Sequence, residues 1–358
     1  MLESFGSNGK INDMLQLAVI GAGYWGPNLI RNFNQIPGAR VAYVCDLDAA
    51  KLAPLAAQYP NLTTTRDYHQ ALSDSQVDAV VIATPVSTHR ALALDALRAG
   101  KHVFVEKPLA STSQAAREID KIARETQRVL MVGHTFIYNP AVAKVREYIT
   151  RGALGDIYYI DSSRVNLGLH QFDINVVWDL APHDISIILD WLGKRPLRVS
   201  ARGNSYTQDG IEDVAFITLE FANKIMAHIH VSWMSPAKLR RTTIVGSKQM
   251  VVYDDLEAAE KVKLYDMGVE HLTLNADTRA ELQRTYRVGD VISPRLDVIE
   301  PLRVECRHFI DCILEGKTPR TNGDAGIAVV EVLEAATRSL REGGRTIEIN
   351  DRRLETGD

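Results

Sequence analysis

A chain of 358 residues is longer than one hydrophobic core ordinarily organises, so two domains are expected. Its 46% hydrophobic and 24% charged content is an ordinary soluble globular composition. The net charge of −4 argues against a nucleic-acid or anionic-membrane partner, and no apolar run approaches the ~20 residues that span a bilayer.

Residues 1–13, MLESFGSNGKIND, are polar and glycine-rich, lack the apolar stretch of a signal peptide, and read as a disordered extension or as lying upstream of a start at Met14. From 14 to 140, short β-rich runs alternate with helical patterns. Strands are expected at Leu15–Ile20, Arg40–Cys45, Val77–Thr84, His102–Val105 and Val129–Val132, with helices over Ser87–Ala99 and Ser113–Thr126. Near-continuous apolar runs (LAVI, VAYVC, AVVIA) suit a parallel sheet covered on both faces. Such alternation marks an α/β domain with a doubly wound parallel sheet, the Rossmann type.

After about Pro140 the pattern changes, and residues 141–358 are expected to form an α+β domain with one open, largely antiparallel sheet. A helix through Tyr148 precedes the alternating strand DIYYIDSSRVNL, and a second helix starts near Asp179. Strands follow at Val199–Asn204, Val214–Phe221, Ile225–Trp233, Thr242–Val245 and Met250–Tyr253, joined by short turns such as FANKI. Helices return at Pro301–Leu314 and Ala325–Leu340, and Thr346–Ile349 closes as a strand.

Gly21-Ala22-Gly23-Tyr24-Trp25-Gly26 reads G-x-G-x-x-G, directly after the first strand and opening a helix. Gly21 permits a tight turn, Gly23 lets backbone approach a pyrophosphate, and Gly26 allows close helix–sheet packing. The helix start then offers N–H groups and a positive dipole end to phosphates. Asp46 ends the second strand, where a carboxylate meets adenosine ribose hydroxyls and repels the extra phosphate of NADP. The plain alternative is a turn residue or helix cap, but Asp48 is the better cap, which leaves Asp46 free for the ribose and favours NAD over NADP.

Glu106-Lys107-Pro108 follows the strand HVFV at the sheet edge where ligands bind in such folds. A lysine there can stabilise a developing alkoxide, although most lysines are simply solvated. Asp179 and His183 are four residues apart on a helix and so share a face. Histidine suits proton abstraction from an alcohol, with a carboxylate to orient it. The plain alternatives are a helix cap for Asp179 and a hydrogen-bonded core residue for His183. His228 and His230 alternate on a strand, where packing is the commoner role. No cluster has convincing metal-ligand spacing, so no metal is expected. Cys45, Cys306 and Cys312 form neither a metal motif nor a disulfide framework, which fits a reducing cytoplasm.

Together, G21-A-G-Y-W-G26, A83-T-P-V-S-T-H89, E106-K-P108 and D179-x-x-x-H183 resemble the glucose-fructose oxidoreductase/inositol dehydrogenase (Gfo/Idh/MocA) family from Leu15 onward. The resemblance implies NAD as cofactor, Lys107, Asp179 and His183 as the catalytic trio with His183 the acid/base, and Thr84, Pro85, His89 and Glu106 lining the cofactor. It implies oligomerisation of the second domain through its open sheet face, as dimers or tetramers. Many members carry arginines after the sixth strand, where this chain has H134-T-F-I-Y-N-P140. HTFIYNP, DIYYIDSSRVNLG and WDLAPHDI look like the branch acting on nucleotide-linked amino sugars. That likeness implies oxidation of UDP-N-acetylglucosamine at C3, toward the 2,3-diamino sugars of lipid A. The corresponding uronate, a free inositol-type polyol and a non-catalytic NAD-binding sensor are the alternatives. Arg164 and Asn166 are expected to reach the substrate. The segment Leu167–Trp178, LGLHQFDINVVW, is expected to border the sugar and contains no arginine or lysine.

Overall fold

The computed structural model describes residues 14–168, 174–269 and 286–349; the expected extension 1–13 and part of Leu167–Trp178 lie outside the described residues. The chain divides into two compact units.

The first unit opens with β1 (Leu15–Ile20), α1 (Gly26–Asn34), β2 (Ala39–Cys45), α2 (Ala49–Gln58), β3 (Thr63–Thr65), α3 (Tyr68–Ser73), β4 (Ala79–Ile82), α4 (Val86–Arg98), β5 (His102–Glu106), α5 (Ser113–Glu125) and β6 (Leu130–Gly133). All six strands run parallel in the order β3-β2-β1-β4-β5-β6. Covered on both faces, the central strands are largely apolar: Leu17, Val19, Val80, Val81 and Phe104 are fully buried. The winding reverses between β1 and β4, so the loops leaving these two strands flank the switch point where such sheets bind ligands. Asp48 caps α2 by accepting from Ala50 N, as expected of it.

The second unit contains α6 (Pro140–Thr150), β7 (Ile157–Leu167), α7 (Val176–Leu192), β8 (Arg198–Asn204), β9 (Val214–Glu220), β10 (Met226–Ser232), β11 (Met234–Gly246), β12 (Met250–Asp254), β13 (Val262–Val269) and β14 (Tyr286–Ile292). After α8 (Pro301–Glu315) come its last elements, α9 (Gly323–Arg341) and β15 (Ile347–Glu348). Its nine strands form one sheet in the order β14-β13-β12-β11-β7-β10-β9-β8-β15, antiparallel except where β7 meets β10. Asn223 (φ 61°, ψ 30°) and Lys224 (φ 63°) supply left-handed residues to the three-residue loop between β9 and β10.

Alternation decides the two faces of this sheet. Ile160, Ile217, Ile229, Ile244 and Val251 point into one core with Val177, Ile185 and Ile188 of α7 and Val329 and Leu333 of α9. The other face leaves Tyr159, Phe216 and Met226 exposed. There Phe216 stacks on His230 at 4.4 Å, and His228 Nδ1 lies 2.9 Å from Asp161 Oδ1.

One boundary differs from the expected division at residue 140: Leu302–Gly323, hence nearly all of α8, belongs to the first unit. The reason is aromatic packing. Phe309 meets Phe104 at 5.7 Å and Phe33 at 6.2 Å, edge to face, and is fully buried. Beyond α8, Val132 N donates to Thr321 O at 2.7 Å. Phe309→Ala is expected to lower stability by about 3–5 kcal/mol, measured by chemical denaturation; a loss under about 1 kcal/mol would show that α8 does not hold the first core.

Candidate active site

The glycine loop follows β1, and two of its glycines, Gly21 and Gly26, are required on steric grounds. A Cβ on Gly21, whose φ is +101°, would sit 2.4 Å from Ala83 O, and one on Gly26 would sit 2.2 Å from Gly21 O. A Cβ on Gly23 would meet nothing within 4 Å, so backbone borders open space there. No side chain caps the start of α1. An open backbone approach beside an uncapped helix start fits a pyrophosphate. Tyr24 is 82% and Trp25 38% exposed, their rings edge to face at 5.3 Å.

Asp46 is tied to this loop. Its Oδ2 accepts from Ala22 N at 2.7 Å and its Oδ1 from Asp48 N at 2.9 Å, with Lys51 Nζ at 3.9 Å. It is thus a turn residue and a fixed negative charge together. The residues present fit a dinucleotide whose ribose carries no 2′-phosphate.

Two further loops are stapled by His89, which is 1% exposed. Its Nε2 lies 2.8 Å from Thr84 O and its Nδ1 2.9 Å from Pro108 O. Burial pushes its pKa down, against the two carbonyls, which draw it up. His89 therefore binds the Thr84–Pro85 turn to the Glu106-Lys107-Pro108 loop from beneath. Thr84 is half-buried and Pro85 exposed. The Lys107–Pro108 bond is cis, and Lys107 is half-buried. Glu106 ends β5 fully enclosed: Oε2 accepts from Lys107 N at 3.2 Å, and Oε1 has no hydrogen-bond partner among the described residues. Burial pushes its carboxyl up to about 7, partly opposed by Lys107.

In the second unit, α7 begins earlier than expected. Asn175 caps it by accepting from Trp178 N at 3.2 Å, which releases Asp179 from that role. Pro182 stands within the helix and removes the N–H that would bond Trp178 O. Asp179 Oδ2 accepts from Trp233 Nε1 at 3.0 Å. His183 is half-buried, and its ring meets Phe136 at 4.8 Å and 65°. Arg164, expected at the substrate, is instead 4% exposed, because its guanidinium is taken by Asp184 at 2.6 Å. Asn166, two residues on, is half-buried. Phe136, Trp233 and Asp184 escaped the sequence reading; an aromatic or a carboxylate that acts by contact has no spacing to betray it. Among the described residues, no group of three or more His, Cys, Asp or Glu could hold a metal ion, and no helix is long and apolar enough to cross a membrane.

A carboxyl pushed up by burial gives a pH signature. Between about pH 4.5 and about pH 7 the unfolded chain has released the Glu106 proton while the folded chain retains it, so stability falls as pH rises through that window. Glu106→Gln is expected to melt several degrees above wild type near pH 8 and level with it below about pH 5. Equal melting temperatures at both pH values would show that Glu106 carries no such cost.

The comparisons agree with this geometry. The family model described as "Oxidoreductase family, NAD-binding Rossmann fold" matches residues 15–134, and the GFO/IDH/MocA C-terminal domain matches residues 142–252. The scyllo-inositol 2-dehydrogenase (NAD+) of Bacillus subtilis (strain 168) is 25% identical over 96% of this chain and 98% of its own. GenD2 from gentamicin A biosynthesis, solved in complex with NAD, is 26% identical with a TM-score of 0.79, covering 98% of this chain and 100% of its own. UDP-N-acetylglucosamine 3-dehydrogenase GnnA from Acidithiobacillus ferrooxidans is 25% identical with a TM-score of 0.77, covering 92% and 98%. With both domain models matched in order and the glycine loop built for a dinucleotide, the chain belongs to the GFO/IDH/MocA family of NAD-dependent oxidoreductases, which oxidise sugars or polyols.

Proposed function

We propose that the chain oxidises UDP-N-acetylglucosamine at C3, giving the 3-keto sugar nucleotide from which 2,3-diamino sugars of the lipid A type are made. The observation that carries this reading is His183 on α7, with Phe136 against its ring and Arg240 Cζ 5.8 Å from the same aromatic centroid. Arg240 keeps a side chain 33% exposed while pairing with Asp255 at 3.4 Å, a cation suited to a diphosphate. A proton acceptor and a partly open cation around one ring suit an alcohol carried on an anionic handle. The likeness to GnnA supports the same substrate. A neutral C6 hydroxymethyl is favoured over a uronate because Leu167–Trp178 contains no arginine or lysine to pair a carboxylate.

Bound NAD supplies the hydride acceptor. Gly21, Gly23, Tyr24, Trp25, Gly26, Asp46, Thr84 and Pro85 hold it, with His89 and Glu106 setting the loops from below. Lys107 donates to the alcohol oxygen and steadies its developing charge. His183 takes the hydroxyl proton, and Asp179, fixed by the Trp233 indole, orients it. Asn166 contacts the sugar. The open sheet face, with Tyr159, Phe216 and Met226 exposed, pairs with further copies of the chain as a dimer or tetramer. Cys45, Cys306 and Cys312 are buried thiols outside any disulfide, as suits work in the cytoplasm.

A free polyol is the second reading, supported by the end-to-end similarity to the scyllo-inositol enzyme. NAD reduction measured with UDP-N-acetylglucosamine, its uronate and scyllo-inositol separates the readings. The highest kcat/KM is expected for UDP-N-acetylglucosamine; a higher value for either other compound would replace it as the substrate. His183→Asn and Lys107→Met are each expected to lower kcat roughly a hundredfold, with the KM for NAD little changed. Near-normal turnover in both variants would remove them from the reaction.

A further inference from the structure

Arg164 and Asp184 have side chains only 5% and 3% exposed, inside the core of the second unit. Arg164 Nε donates to Asp184 Oδ2 at 2.6 Å and Nη2 to Oδ1 at 3.2 Å. Ser162 Oγ donates to Asp184 Oδ1 at 2.9 Å and lies 2.9 Å from Thr242 Oγ1. Desolvating two charges offsets most of their attraction, so an apolar pair of similar volume would hold β7 to α7 at least as firmly. What the ion pair adds is direction. Two fixed oxygens set the plane of a guanidinium, and an apolar contact sets no plane.

The place of the pair shows what that direction serves. Asp184 is the residue after His183, and the Arg164 guanidinium lies over the Phe136 ring, Cζ 4.5 Å from its centroid. The same ring also meets the His183 imidazole, at 4.8 Å and 65°. Carboxylate, guanidinium, phenyl and imidazole thus form a continuous chain of contacts from the backbone of α7 back to a side chain on α7. Other ionisable groups near this chain include Arg240 from β11, 5.8 Å from Phe136 and paired with Asp255, Tyr253 of β12, which donates to Asp255 and acts on Arg164, and Asp179 one turn earlier on α7.

We propose that Arg164 and Asp184 are positioning residues, whose buried ion pair locks α7 at His183 and, through Phe136, holds the imidazole in its working orientation. The proposal rests on the reading of His183 as the proton acceptor. It assigns Arg164 a role behind the site in place of contact with substrate.

Three variants and one control test it, assayed with NAD and UDP-N-acetylglucosamine, or scyllo-inositol if that is the compound oxidised. Arg164→Met leaves an unbalanced anion, which favours the protonated imidazole. The low-pH limb of kcat/KM is then expected to move up by roughly half a pH unit or more. Asp184→Asn leaves an unbalanced cation, and the limb is expected to move down. Arg164→Met combined with Asp184→Leu restores neutrality and melts near wild type, with its limb restored. Its kcat nevertheless stays down by roughly tenfold to a hundredfold, because the ring is no longer fixed. The KM for NAD stays within about twofold. NMR of protein with labelled histidine, the His183 signal identified by its loss in His183→Asn, is expected to show the same opposed displacements without substrate. Wild-type kcat in the double variant, or limbs and signals moving the same way in both single variants, would overturn the proposal. Wild-type turnover in His183→Asn would instead overturn the reading of the base.

Discussion

A guanidinium and a carboxylate inside an apolar core must find each other, and the geometry that lets them do so organises the second unit. β7 runs through the middle of the nine-stranded sheet, between β10 and β11, and α7 packs against that same core. The Arg164–Asp184 pair joins these two elements at the turn of α7 that presents His183. A second polar group lies nearby. Asn139 caps α6 through Ala141 N and also reaches Asp255 Oδ1 at 3.3 Å, where Tyr253 donates at 3.0 Å. Burial, and after it the Asp255 carboxylate, push the Tyr253 hydroxyl well above its usual range, so it stays a neutral donor. The helix bearing His183, the start of α6 and the end of β12 are therefore set by bonds with fixed directions.

The first unit works from the opposite constraint, the exclusion of side chains. Gly21 and Gly26 let β1, α1 and the Ala83 turn approach to distances that no Cβ permits, while Gly23 leaves space unfilled. At the end of β6 a Cβ on Gly133 would stand 3.2 Å from Glu106, a tight contact. A buried carboxyl drawn up to about 7 is thereby placed at the end of β5, one residue before Lys107. His89 ties that loop to the Thr84 turn.

What was legible in the sequence was whatever depends on near neighbours. The glycine spacing, the apolar strands and the Asp48 cap are local; the loop, β1 and the cap stand where they were read, while β4 is shorter than expected, Ala79–Ile82. Long-range pairing was not legible. Arg164 shares the inward face of β7 with Ile160 and Ser162, but its partner lies twenty residues away on a helix, so only its charge was visible. A cap stayed open as the plain alternative for Asp179 because nothing marked Asn175 as a better one. The amphipathic face of α8 told that it covers a core without telling which core. β13 and β14 escaped notice because Lys263, Asp266 and Gly268 on one, and Arg287, Gly289 and Asp290 on the other, interrupt apolar alternation. β3, three threonines at a sheet edge, is too short and too polar to signal itself.

The central claim is that a C3 hydrogen leaves the sugar as hydride while the chain's own groups manage the proton, and isotope transfer tests it most directly. UDP-N-acetylglucosamine carrying deuterium at C3 is to be incubated with NAD and enzyme, and the reduced cofactor examined by mass spectrometry and proton NMR. Deuterium at C4 of the nicotinamide, with slower turnover than for the unlabelled sugar, is the predicted result. Reduced cofactor formed without deuterium, or no reduction of NAD at all, would contradict the account.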